Sequence, residues 1–170
     1  NNNAYCLDDE VSWFDWSLLE RHGDVHRFMK ALALFRQRRD VVARETTLSL
    51  NKLLEHSRLD WHGVRLGHPD WADHSHSLAF TLRSLHTRFL VHVMMNAYWE
   101  PLEFEIPPLN GEKAGWRRCI DTAMQSPEDI AEWRSAPRHA GRSCLVQPRS
   151  LVLLASRLQR PVAAETETVS

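Results

Sequence analysis

The sequence predicts a mainly β chain, an antiparallel β-sandwich preceded by a loop and a helix. Two patterns carry that prediction. Val25, Phe28, Met29, Leu32 and Phe35 recur at helical spacing, with Asp24 as N-cap and Arg36, Arg38 and Arg39 in the last turn, where cations complement the helix dipole. From Leu59 onward the period shortens, and brief apolar or alternating runs follow one another with turn residues between them. Such runs are strands, and many short strands in series build a sandwich.

The chain opens on Asn1-Asn2-Asn3-Ala4-Tyr5-Cys6-Leu7-Asp8-Asp9-Glu10-Val11-Ser12-Trp13-Phe14-Asp15-Trp16, which gathers amides, a phenol, carboxylates and two tryptophans. Amides and carboxylates hydrogen-bond in fixed directions and aromatic faces cover apolar ring faces, so the stretch suits a sugar. In the helix behind it, Ala31, Ala33 and Leu34 widen the apolar surface, which predicts burial against a large neighbour. A second short helix is expected over residues 48–55, with Thr47 as its cap.

Strands are expected at 59–66, 77–82, 88–95, 102–106, 116–121, 143–147 and 150–155. Leu102-Glu103-Phe104-Glu105-Ile106 alternates strictly, and residues 96–101 offer a turn, so an antiparallel hairpin is expected there. Pro148 separates the last two strands, as an edge position or a bulge allows. Ser126-Pro127-Glu128-Asp129-Ile130 reads as a loop opening a helical turn. The polar, charge-mixed residues 159–170 have nothing to bury and are expected to fray.

With 170 residues, 43% of them apolar, the chain suits one domain or one domain with an appendage. A net charge of −1 with dispersed basic residues provides no footprint for nucleic acid or an anionic membrane. No apolar run approaches the roughly 20 residues that cross a bilayer. Cys6, Cys119 and Cys144 lack CxxC spacing, which fits reduced thiols and a cytoplasmic location better than a disulfide framework.

Several ordered motifs carry a family resemblance. Asn1-Asn2-Asn3-Ala4-Tyr5-Cys6-Leu7-Asp8 with Ser12-Trp13-Phe14-Asp15-Trp16 resembles the segment after the final barrel strand of isoamylase-type glycogen debranching enzymes, in the α-amylase superfamily. The likeness continues through Trp61-His62-Gly63-Val64, Pro69-Asp70-Trp71, Ser75-His76-Ser77-Leu78-Ala79-Phe80, Asn96-Ala97-Tyr98-Trp99-Glu100-Pro101 and Pro148-Arg149-Ser150-Leu151-Val152-Leu153-Leu154. The resemblance implies that residues 1–45 are the last loop and helix of a catalytic (β/α)8 barrel, 46–158 a C-terminal β-sandwich and 159–170 a tail. It also implies hydrolysis of α-1,6 branch linkages in glycogen or a limit dextrin by the parent enzyme. The partners it implies are that α-glucan and the upstream barrel of the same polypeptide, with no cofactor.

By the same resemblance the nucleophilic Asp, the acid/base Glu and a sugar-binding Asp lie upstream of Asn1, and no catalytic residue is assigned here. Asn1, Asn2, Asn3 and Tyr5 fall in the loop after the last barrel strand, where barrel enzymes place their substrate rim. A plain turn, with Tyr5 filling a gap, accounts for the same residues. Asp8, Asp9, Glu10 and Asp15 are close in sequence but lack a scaffold to fix the separation that paired carboxylates need. Cys6 has no base beside it.

Three further groups suit either function or structure. His62, His68, His74 and His76, with Asp70 and Asp73, cluster within fifteen residues, and His74 and His76 would share a strand face. Without a Cys partner or an HExxH helix, local hydrogen bonding is favoured and no metal is expected. Trp13 and Trp16 are expected to pack rather than stack on sugar. Trp61, Trp71, Trp99, Trp116 and Trp133 would fill a core or, exposed in line, bind a glucan; burial is the expectation. A non-catalytic glucan-binding sandwich is therefore the alternative reading, and self-association through the helix a third.

Overall fold

The computed structural model describes residues 7–44, 57–84, 89–109 and 115–157, with the side chains of all of these except 36–44, 84 and 89. The expected helix at 48–55, the residues Asn1, Asn2, Asn3, Tyr5 and Cys6, and the tail 159–170 lie outside the described residues. The chain divides into two compact units, Asn1–Val42 and Ala43–Ser170.

The first unit is helical. A short helix α1 (Leu18–Arg21) follows Ser17, and α2 (Gly23–Arg44) runs for 22 residues. Asp24 does not cap α2 but lies in its first turn, because the helix already starts at Gly23 and His26 N–H reaches the His22 carbonyl. Its carboxylate there still complements the positive end of the dipole. The arginines at 36, 38 and 39 do not close the helix either, since it continues to Arg44. Val25, Met29 and Leu34 are exposed in the chain by itself, while Phe28, Ala31, Leu32 and Phe35 are half-buried.

The second unit is a two-sheet antiparallel structure. Its strands are β1 (Ser57–His62), β2 (Ser77–Ser84), β3 (Phe89–Asn96), β4 (Leu102–Glu105), β5 (Trp116–Asp121), β6 (Arg138–His139), β7 (Ser143–Val146) and β8 (Ser150–Arg157). Six form one sheet in the order β1-β2-β3-β8-β5-β6, and β4 pairs with β7 in a second. β8, last in the chain, lies centrally between β3 and β5.

Alternation decides which side chains face the gap between the sheets. Ala79 on β2, Met94 on β3 and Val152 and Leu154 on β8 meet Phe104 on β4 and Cys144 and Val146 on β7 in one buried cluster. Trp116 joins them at 4% exposure and donates its Nε1–H to the Pro107 carbonyl at 3.0 Å. A hydrogen-bonded indole can be buried without leaving its donor unpaired.

The expected hairpin between 88–95 and 102–106 does not form. β3 pairs with β2 and β8, while β4 pairs with β7 in the other sheet. Between them, the Asn96 side chain bonds the 97–101 turn and the end of β7. The first strand also ends at His62, not at 66, because Gly63 packs against the His68 carbonyl; an added Cβ would stand 2.5 Å from that oxygen. Pro148 lies between strands of different sheets, and Arg149 beside it takes φ 52°, so a sharp turn and not a bulge accommodates the proline. Residues 126–130 form turns ending in a bridge from Ile130 to Ile120, with no α-helical turn.

Candidate functional site

The substrate-rim residues expected from sequence, Asn1, Asn2, Asn3 and Tyr5, lie outside the described residues, and the described part of that loop begins at Leu7. Its acids are used locally. Asp8 accepts Trp13 Nε1–H at 2.7 Å, Asp9 accepts Val11 N–H at 3.0 Å, and Asp15 accepts both the hydroxyl and the N–H of Ser17 at 2.7 and 3.0 Å. The Ser17 hydroxyl, then its N–H, hold the Asp15 carboxyl below its ordinary value. These carboxylates brace turns of one short loop, which leaves none of the three poised as a general acid. Trp13 and Trp16 are exposed, and Phe14 meets Trp16 edge-on at 4.9 Å, so the expected packing of the two indoles is not found.

Inside the sandwich, β1, β2 and β3 build a hydrogen-bonded chain that sequence reading missed. Gly67 N–H donates to His62 Nδ1 at 2.8 Å, and His62 Nε2 meets Thr81 Oγ1 at 2.9 Å. Thr81 Oγ1 in turn meets His92 Nδ1 at 2.9 Å. A backbone N–H can only donate, so His62 Nδ1 must be the bare nitrogen and Nε2 must carry the proton. His62 then donates to Thr81, Thr81 donates to His92 Nδ1, and the last proton resides on His92 Nε2. That nitrogen is buried without a partner of hydrogen-bond geometry, although the Glu105 carbonyl acts on it.

The direction of the chain fixes both rings as neutral. Burial, then the nearby His62, push the His92 pKa down to about 4, with the Glu105 carbonyl opposing. His62 is also lowered, by burial, against the pull of Asp60. A cleft of about 400 Å³ opens over His62 and Thr81, with Asp60, Arg83, Leu90 and Pro107 among its walls. Both ring nitrogens of His62 are already engaged, and no Ser or Cys lines the cleft beside them. The Thr81 hydroxyl in its lining is only 6% exposed and is held between the two imidazoles, so it is not presented to a ligand.

The histidines between 62 and 76 take separate places. His62 turns inward to Thr81, while His74 and His76 precede β2 and share no strand face. Among the described residues no three His, Cys, Asp or Glu side chains are grouped to hold a metal ion. Cys119 and Cys144 are free and buried, and burial raises each thiol to about 11. Arg117 pulls Cys119 the other way; Asp121 adds to the rise at Cys144 and Arg118 opposes it. Both stay protonated near neutrality and are poor nucleophiles.

At one end of the sheet the loops after β1, β3 and β7 meet, the last two on Asn96. Its Nδ2 donates to the carbonyls of Glu100, Val146 and Gln147 at 2.8, 3.1 and 3.1 Å, and its Oδ1 accepts Tyr98 N–H at 2.8 Å. Ala97 N–H reaches the His76 carbonyl, and Arg149 N–H reaches that of Tyr98. The 97–101 loop is thereby fixed to both neighbours. It presents Tyr98 and Trp99 with ring centroids 4.0 Å apart and His76 about equally close to both. Trp71, from the β1–β2 loop, meets Trp61 at 5.5 Å.

Burial, the expectation for these five tryptophans, holds for Trp116; Trp133 is half-buried, Trp71 is 64% exposed, Trp99 62% and Trp61 41%. The signal for Asn96 was present in the sequence as an Asn ending an apolar strand before Ala-Tyr-Trp-Glu-Pro, an Asx-turn position. Thr81 and His92 were legible as polar residues at inward positions of β2 and β3, which must find partners.

Residues 60–147, from within β1 to the β7–β8 turn, match the family model described as isoamylase 1-3, C-terminal. The chain belongs to the isoamylase C-terminal family. An isoamylase relative, chloroplastic isoamylase SU1 of Zea mays, is 32% identical over 131 residues, 76% of this chain and 16% of that protein. Chloroplastic isoamylase 3 of Oryza sativa subsp. japonica is 29% identical over 158 residues, 92% of this chain and 18% of its own length. A glycogen operon protein GlgX homolog of Mycobacterium tuberculosis is 32% identical over 77 residues, 42% of this chain and 11% of that protein. The chain thus spans less than a fifth of each of these three relatives. Among the described residues no helix is long and apolar enough to cross a membrane.

Proposed function

We propose that this chain is the C-terminal region of a debranching enzyme that hydrolyses α-1,6-glucosidic branch linkages in glycogen or a related α-glucan. The family match over residues 60–147 carries the reading. Residues 1–45 would complete an upstream (β/α)8 barrel, residues 46–158 form the sandwich that braces it, and 159–170 follow as a tail. A retaining glycosidase needs two carboxyl groups about 5 Å apart on rigid scaffold. The engaged Asp8, Asp9 and Asp15 support placing that pair upstream.

The face of the six-stranded sheet turned from the core supports the bracing role. Leu78, Leu82, Val91, Met95, Leu151 and Leu153 occupy its alternate positions. Antiparallel sheets that meet water on one face carry polar residues there, so strands apolar on both faces favour a covered sheet. Two free buried thiols support a reducing, cytoplasmic location, while the plant relatives carry the word chloroplastic in their names.

Asn1, Asn2, Asn3 and Tyr5 are proposed as substrate-rim contacts of the same enzyme, by amide hydrogen bonds to sugar hydroxyls and a phenol at the ring. In the complete polypeptide, Asn2→Ala and Tyr5→Ala are expected to raise KM for a branched glucan about tenfold each, the equivalent of roughly 1.4 kcal/mol, with an unchanged melting temperature. Unaltered KM in both variants would remove these residues from the rim.

A further inference from the structure

We infer that the Asn96 end of the sandwich is an α-glucan-binding surface separate from the hydrolytic site, with Trp99 and Trp71 as its two platforms. The inference rests on the glucan reading above and gives it a second point of attachment.

The platforms are built, not incidental. Trp99 is largely exposed, yet Tyr98 lies 4.0 Å from it at an interplanar angle of 30°, and His76 meets both rings edge-on. The loop that carries the pair is fixed by Asn96, which is only 2% exposed. Trp71 is held in the same way: Asp70 Oδ1 accepts Ala72 N–H at 3.0 Å, and Trp61, itself packed on Phe80 at 5.6 Å, supports the ring edge-on. An aromatic ring fixed before the ligand arrives loses little entropy on binding.

The two sites lie towards one end of β2. His76 comes immediately before the strand, Leu78 and Phe80 alternate along one side of it, and Phe80 is the register partner of Trp61. Ser77, next to His76, and Phe80 are three residues apart along the strand, about 10 Å, a length that two or three pyranose rings cover. Exposed polar groups flank the rings: Asp70, Asp73 and His74 beside Trp71, and Glu100 beside Trp99. Sugar recognition needs this pairing of an apolar face with directional hydrogen-bonding groups. A seam between protein domains instead loses charged residues from its centre. The aliphatic middle of the sheet matches such a seam, and the aromatic loop end does not.

The test is a tryptophan-fluorescence titration of the 170-residue chain with maltoheptaose, for wild type, Trp71→Ala, Trp99→Ala and Trp133→Phe, with circular dichroism melts of each. The expected result is a saturable change in the wild type, weakened about tenfold or more in the Trp71 and Trp99 variants, retained in Trp133→Phe, with all melts alike. A flat wild-type titration, or equal binding by all four proteins, would overturn the inference. So would iodide quenching of the complete polypeptide that is the same with and without Trp71 and Trp99, since that would show a seam between domains. If maltoheptaose fails to bind while the complete polypeptide still releases linear chains from glycogen, this surface is refuted and the debranching reading is not.

Discussion

Replacing Asn96 with Asp is expected to cost roughly 3 to 5 kcal/mol of stability at pH 7, the cost of a buried charge without a partner. The substitution is nearly isosteric, so it isolates one feature, the amide donor. Asn96 Nδ2 has two N–H groups shared among three carbonyls, those of Glu100, Val146 and Gln147. A carboxylate there would direct negative charge at three negative dipoles inside a site that is 2% exposed. Urea denaturation of wild type and variant measures the difference. The cost relative to wild type should shrink as pH falls, because a carboxyl in this position takes up a proton to regain a donor. A loss below about 1 kcal/mol would show that the β3–β4 and β7–β8 loops do not depend on Asn96.

Acid is expected to destabilise the sandwich through His92, by about 3 kcal/mol, the free-energy equivalent of lowering a histidine pKa from 6.5 to about 4. The folded state holds His92 neutral, whereas the unfolded chain binds a proton readily below pH 6.5. Stability from this group is therefore complete above about 6.5, declines as pH falls through the window, and is lost near 4. His62 adds loss of the same sign, because its pKa is also lowered and a proton on its Nδ1 would face the Gly67 N–H. Urea midpoints measured between pH 7 and 4.5 should fall, and His92→Leu should flatten that slope while lowering the plateau. A midpoint independent of pH across this range would contradict the neutral His62–Thr81–His92 chain.

The strands were legible because alternation is a local property: Leu102 and Phe104 point inward and Glu103 and Glu105 outward, as their spacing implied. Pairing was not legible. β3 and β4 are adjacent in sequence with a turn between them, and nothing in either run states that the second strand pairs with β7 in another sheet. Helix ends failed for a related reason, since Asp24 suits both a cap and a first turn, and only the preceding backbone distinguishes them. Alternation also left the tryptophans undecided. Trp116 and Trp61 both occupy strands, but the first faces the second sheet and the second faces outward. The candidate platform depends on that difference, on loops from three parts of the chain, and on contacts no single window of sequence contains.

The most direct measurement compares new reducing ends released from glycogen by the 170-residue chain and by the complete polypeptide that carries it. Steady release of linear chains is expected from the complete polypeptide and none from the chain alone, as the proposed roles of brace and binding surface require no paired carboxyl groups in it. Debranching by the chain alone would contradict that expectation.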